Sequence, residues 1–149
     1  MRAQAMTYDS GNIFARILAG EAKSHRVYDD EHVLAIMDVM PRADGHTLVL
    51  PKAPCADFHT LPADAVPGVF AATQKLTDAV KQAFGADGVL VIVRNGSAAG
   101  QVVFHMHVHV IPCHQGQPVK RPGHALADDE VLAEHALLIR EALSRQPAE

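Results

Sequence analysis

The chain has 149 residues, 48% hydrophobic and 20% charged, with 10 His, two Cys, no Trp and a formal net charge of −4. This length suits one domain with its own core, and the composition fits neither a repeat solenoid, a collagen-like chain nor a disordered tail. Cys55 and Cys113 are too few for a disulfide framework, no stretch approaches the roughly 20 apolar residues of a membrane span, and MRAQAMTYDSGN is too polar for a signal peptide. With mild acidity in place of a basic stripe, the expectation is a cytoplasmic protein with neither membrane nor nucleic-acid partner.

A flexible lead-in is expected over residues 1–10. Ser10 then precedes Asn12-Ile13-Phe14-Ala15-Arg16-Ile17-Leu18, where apolar residues recur at helical spacing until Gly20 stops them. Val27-Tyr28 and Val33–Asp38 read as strands, and the loop Pro41–Gly45 leads into a third at His46–Leu50. Asp64–Phe84 carries the longest helical pattern so far, with Pro67 in its first turn and Gly85 as its stop. Gly88–Arg94 is a near-continuous apolar strand, the small-residue loop 95–100 follows, and a fifth strand is expected from Val102 to Ile111, closed by Pro112. A helix over Asp128–Arg145, with Asp128, Asp129 and Glu130 at its N-terminus, ends the domain within residues 125–149. This order predicts an α+β fold, a five-stranded, mainly antiparallel sheet with flanking helices.

The strongest chemical signal is His105-Met106-His107-Val108-His109-Val110-Ile111. Alternation in a strand would put the three imidazoles on one face about 6.6–7 Å apart, with Met106, Val108 and Val110 turned into the core. Three histidines in register are hard to explain as packing, because each brings polar nitrogens that need partners when buried. Zinc binding is one use of such a strand. Its common settings fit poorly: a His-x-His-x-Asp-His hydrolase needs Asp and His after the pair, but Val108 and His109 follow, and Ile111 and Cys113 stand where a cupin-like site needs Glu. The other use is covalent catalysis at phosphorus by a neutral imidazole. The loop Asn95-Gly96-Ser97-Ala98-Ala99-Gly100-Gln101 just upstream could offer backbone N–H groups to phosphate oxygens.

His-Met-His-Val-His-Val-Ile resembles the histidine triad motif of the HIT superfamily. Asn12-Ile13-Phe14, Val27-Tyr28-Asp29-Asp30, Asp38-Val39-Met40-Pro41, Gly45 through Lys52, Asn95-Gly96 and Gly100-Gln101 match further segments of that family in order. The resemblance implies a homodimeric hydrolase or transferase that binds a purine nucleotide and acts at the α-phosphate of a phosphoramidate or dinucleoside polyphosphate. It makes His107 the nucleophile that forms a nucleotidyl-histidine, His105 and His46 its supporting histidines, and His109 a contact to phosphate or leaving group. It assigns Asp38 to the ribose hydroxyls, Asn95, Gly100 and Gln101 to the phosphate side, and Phe14 and Ile17 to the base pocket. No cofactor is implied. Some bacterial relatives hold a zinc through two cysteines and a histidine; this chain has Asn12, Ala15 and Pro54 at those places, so no metal is expected. Val102 replaces a Ser or Thr of phosphoramidate-cleaving relatives, and Cys113 replaces an Arg. His25, His32, His59, His114, His124 and His135 are expected to be incidental. A nucleotide-binding or scaffolding module with little turnover and a metal-binding protein are the alternatives.

Overall fold

The computed structural model describes residues 7–147. Five strands form one sheet: β1 (Arg26–Asp29), β2 (Val33–Met37), β3 (Thr47–Pro51), β4 (Gly88–Val93) and β5 (Val108–Cys113). Their order is β1-β2-β3-β5-β4, and each neighbouring pair is antiparallel. The α+β architecture expected from the sequence is therefore the one observed.

Strand alternation divides the apolar residues between two faces. Val33, Ala35 and Met37 of β2, Val49 of β3, and Val108 and Val110 of β5 pack against the long helices α2 (Val66–Phe84) and α3 (Asp129–Ser144). Leu34, Ile36, Leu48 and Leu50 point the other way and meet Phe14 and Ile17 of the short helix α1 (Ile13–Leu18). Because both faces are covered, every residue of β2 and β3 is buried. His46 lies two residues before Leu48, so the same alternation sends it to the α1 face.

The helix ends follow capping chemistry. Asn12 caps α1 by accepting the Ala15 N–H at 2.9 Å, which satisfies a donor that the first turn leaves open. Helix α2 begins at Val66 with Pro67 in its first turn and stops at Gly85 in the left-handed conformation. A 3-10 turn at Ala63–Ala65 takes the place of its expected first residues. The lead-in expected over residues 1–10 lies largely outside the described residues; from Thr7 onward the chain is placed, and Tyr8 packs beside a histidine of the site.

The fifth strand departs from expectation at both ends. It starts at Val108, not Val102, and runs through Pro112 to Cys113. Residues before Val108 leave the ladder, where the Met106 N–H bonds to the Cys55 carbonyl at 2.8 Å. At the far end β3 pairs with β5 only as far as Val110, whereas β4 continues to Cys113. Past Val110, β5 is bonded on one side, where a donor is needed only at alternate residues, so Pro112 is tolerated.

Gly45 closes the turn before β3 at φ +90, and a Cβ there would lie 2.4 Å from the Phe84 ring at the end of α2. Gly45→Ala is therefore expected to lower the unfolding free energy by about 2 kcal/mol or more, from backbone strain plus overpacking. Urea denaturation checks this; an unchanged midpoint would show that the turn and Phe84 relax freely.

Candidate functional site

On the α1 face, His46 leads into β3, His109 stands on β5, and His105 and His107 lie in the irregular segment just before it. The three triad imidazoles thus do not share one regular strand, as the sequence pattern implied. Release from the ladder has a chemical consequence: it leaves the His105 carbonyl free to accept a hydrogen bond from its neighbour's ring. His107 Nδ1 lies 2.7 Å from that carbonyl oxygen. A carbonyl only accepts, so Nδ1 carries the proton and Nε2 keeps its lone pair. Among the described residues no hydrogen-bond partner reaches His107 Nε2.

The same reasoning fixes the other rings. His105 Nε2 donates to the Pro51 carbonyl at 2.9 Å, so its Nδ1 accepts from the Tyr8 hydroxyl at 2.6 Å. The Arg42 backbone N–H donates to His46 Nδ1 at 3.0 Å, which puts the His46 proton on Nε2. That proton faces His109 Nδ1 at 2.9 Å, with a carboxylate oxygen of Asp38 at 3.4 Å. His109 then holds its own proton on Nε2. Two neighbouring rings therefore present opposite faces of acid–base chemistry: a bare nitrogen on His107 and an N–H on His109, with ring centroids 4.9 Å apart.

Burial keeps these rings neutral. It lowers the His46 and His109 pKa values to about 3, helped at His46 by the Arg42 charge and at His109 by His107. His105 and His107 are also pushed down by burial, partly offset by their bonds to the carbonyls of Pro51 and His105. Asp38 moves the opposite way: burial raises its pKa, against the Met40 N–H that its carboxylate accepts at 2.8 Å.

His46, His107 and His109 line a cavity of about 560 Å³ together with Phe14, Ile17, Asp38, Arg94 and Gly100, a volume suited to a nucleotide-sized ligand. Phe14 and Ile17 belong both to the core and to this wall, and the Phe14 ring meets His107 edge-on at 4.9 Å. Asn95 and Gln101 are not among the lining residues. Asn95 accepts the Phe58 N–H at 2.8 Å, and the buried Gln101 amide bonds Gly96, Ala56 and Val103, which staples the loop ahead of the triad. Two residues that the sequence pattern did not single out belong here. Tyr8 caps His105, and Arg94 reaches the cavity from the end of β4; a charged residue closing an apolar strand beside a glycine loop was the available signal.

Of the remaining histidines, His25 pairs with Asp129 at 2.7 Å, His114 donates to the Phe84 carbonyl, and His135 packs on the Phe84 ring. Asp38, His46 and His109 bring three ligand atoms within 4.8 Å of one another, which is metal-ligand spacing. Their hydrogen bonds do not suit a metal. A ligating histidine donates its other nitrogen, but His46 Nδ1 faces the Arg42 N–H, so a metal on Nε2 would set two donors against each other. His105 is spoken for at both nitrogens by Tyr8 and Pro51.

A pH dependence of stability follows. In the unfolded chain the histidines regain a pKa near 6.5 and take up protons that the folded His46 and His109 refuse, so stability is lost as pH falls from about 6.5 toward 3. Urea midpoints at pH 7 and 5 should show the drop, and His46→Asn should make it shallower. An equal drop in that variant would remove His46 as a source.

Residues 19–116 match the HIT domain family. An uncharacterised HIT-like protein of Mycobacterium tuberculosis is 37% identical over 137 residues, covering 91% of this chain and 95% of that protein. The adenylylsulfatase HINT3 of Arabidopsis thaliana is 32% identical over 111 residues, 74% of this chain and 56% of that one. Among solved structures, a Hit-like protein from Bartonella henselae superposes with a TM-score of 0.87 at 41% identity, covering 92% of this chain and 99% of the other. A zinc-bound histidine triad protein from Mycobacterium smegmatis gives 0.79 at 34%, with 91% and 94% covered. With the match spanning the sheet, the opening of the triad loop and all four site histidines, the chain belongs to the HIT family.

Proposed function

We propose that this protein hydrolyses a nucleoside 5′-phosphate derivative, a phosphoramidate or a dinucleoside polyphosphate, at its α-phosphorus through a nucleotidyl-histidine at His107. The observation that carries this reading is the unprotonated Nε2 of His107 facing a nucleotide-sized cavity, held in that tautomer by the His105 carbonyl. Nε2 attacks phosphorus and the bond to the leaving group breaks. The ring, still protonated at Nδ1, becomes cationic, and the His105 carbonyl stabilises it. Where the leaving group needs a proton, water supplies it while His109 Nε2–H hydrogen-bonds the departing atom. Water then forms the new P–O bond, the electron pair of the P–N bond returns to Nε2, and the proton lost by that water goes to solvent.

The rest of the wall supports a purine nucleotide. Ile17 and Phe14 supply an apolar surface for the base, and Asp38, which lines the cavity, accepts from ribose hydroxyls. Gly100 allows close approach of backbone to the phosphate; Asn95 and Gln101 serve it indirectly by holding the loop. The name of the Arabidopsis relative, an adenylylsulfatase, is consistent with nucleotidyl transfer to water. No metal takes part in these steps.

The proposed assembly is a homodimer. β4 is an edge strand with Leu90 and Val91 exposed, and Phe70 of α2 is exposed as well. An unpaired apolar edge favours pairing with a second copy. No helix among the described residues is long and apolar enough to cross a membrane.

The test follows AMP release from adenosine 5′-phosphoramidate and from a dinucleoside polyphosphate, with and without chelator. Wild-type protein should release AMP equally in both conditions, and His107→Ala should reduce kcat by about a thousandfold or more. Activity that survives His107→Ala would sink the covalent mechanism, and activity lost to chelator and restored by zinc would favour metal chemistry. Tight nucleotide binding without turnover would make the chain a binding module.

A further inference from the structure

We infer that Arg94 makes this site selective for substrates whose leaving group departs as an anion, such as a phosphate or sulfate, over those that must leave as an amine. This rests on the hydrolytic reading above and names its substrate class. The β4–β5 ladder pairs Ile92 with His109 and Val93 with Val108. Arg94 follows Val93 directly, two residues beyond the partner of His109, and lines the same cavity as His107 and His109, so the guanidinium lies on the side of the sheet that carries the reacting imidazoles.

Its side chain is also fixed in place. One guanidinium nitrogen donates to the Ala99 carbonyl at 3.0 Å. It passes over Gly100, where a Cβ would lie 2.9 Å from that nitrogen and where the backbone takes φ +90. Glycine is thus required for the turn, and a Cβ there would displace the Arg94 guanidinium. Arg94, Gly100, His107 and His109 line one cavity, to which Lys23 and Arg42 add positive charge against the single carboxylate of Asp38. Nearby Val102, 83% exposed and on the same wall, offers no hydroxyl to assist an amine.

The chemistry of departure separates the two classes. When His107 Nε2 bonds to phosphorus and a P–O bond breaks, the electron pair stays on the leaving oxygen. Sulfate or a nucleoside phosphate then departs without a proton, and a guanidinium beside it stabilises the charge as it develops. Hydrolysis of the nucleotidyl-histidine releases AMP and returns one proton to solvent. When a P–N bond breaks instead, nitrogen must gain a proton, and a nearby cation opposes that gain. The same charge acts on His107 and His109, depressing both toward the neutral form.

Adenosine 5′-phosphosulfate and adenosine 5′-phosphoramidate share the AMP half and differ only in what leaves. Wild-type kcat/KM should be about tenfold or more higher on the phosphosulfate. Arg94→Gln should lower that value by about a hundredfold and cut the phosphosulfate-to-phosphoramidate ratio by about thirtyfold or more, and Arg94→Lys should recover part of the loss. Equal losses on both substrates, or a wild-type preference for the phosphoramidate, would overturn the selectivity and leave the hydrolytic reading standing. Absence of AMP release from either substrate by the wild type would overturn both.

Discussion

The hydrogen bond from His107 Nδ1 to the carbonyl of His105, 2.7 Å long, decides what the site can do. An imidazole without a defined partner divides its proton between two nitrogens; here one nitrogen is committed, and the other keeps its lone pair toward the cavity. The bond exists because the chain leaves the β5 ladder before Val108. A residue within the ladder would spend its carbonyl on a neighbouring strand. The Met106 N–H bond to Cys55, the Gln101 amide bonds and the Tyr8 cap on His105 all hold this short irregular segment outside the sheet.

The surrounding fold serves that segment. α2 and α3 bury one face of the sheet, and with it Met106, Val108 and Val110, so the intervening histidines have no choice of side. On the other face the small cluster around Phe14 and Ile17 is both core and cavity wall, which ties local packing to the shape of the pocket. Desolvation then sets the protonation: rings that would titrate near neutrality in water stay uncharged, and the Arg42 N–H and His105 carbonyl choose which nitrogen of each keeps its proton.

Much of this was legible in the sequence because it rests on periodicity and residue chemistry. Alternation through Met106, Val108 and Val110 told which residues face the core, while His46 was joined to the triad only by the resemblance to the HIT superfamily. The start of β5 was not legible: Val102-Val103-Phe104 has strand propensity, and only the tertiary bonds to Cys55 and Pro51 show why it leaves the ladder. Nor was the role of Arg94, since its neighbour Asn95 looks equally polar on paper. Only the folded chain separates them, with Arg94 lining the cavity while Asn95 ties down Phe58. Tyr8 escaped notice because a polar, glycine-flanked N-terminal stretch looks like a lead-in, whereas its hydroxyl finds a buried acceptor almost a hundred residues away.

The account stands or falls on where the imidazole protons reside. Long-range nitrogen–proton correlation spectra of protein labelled with nitrogen-15 at histidine read this directly at neutral pH. They should show His107 protonated at Nδ1 with Nε2 bare, and His46 and His109 protonated at Nε2. A His107 ring protonated at Nε2, or a cationic one, would contradict the account, because the nitrogen assigned to attack phosphorus would have no lone pair to give.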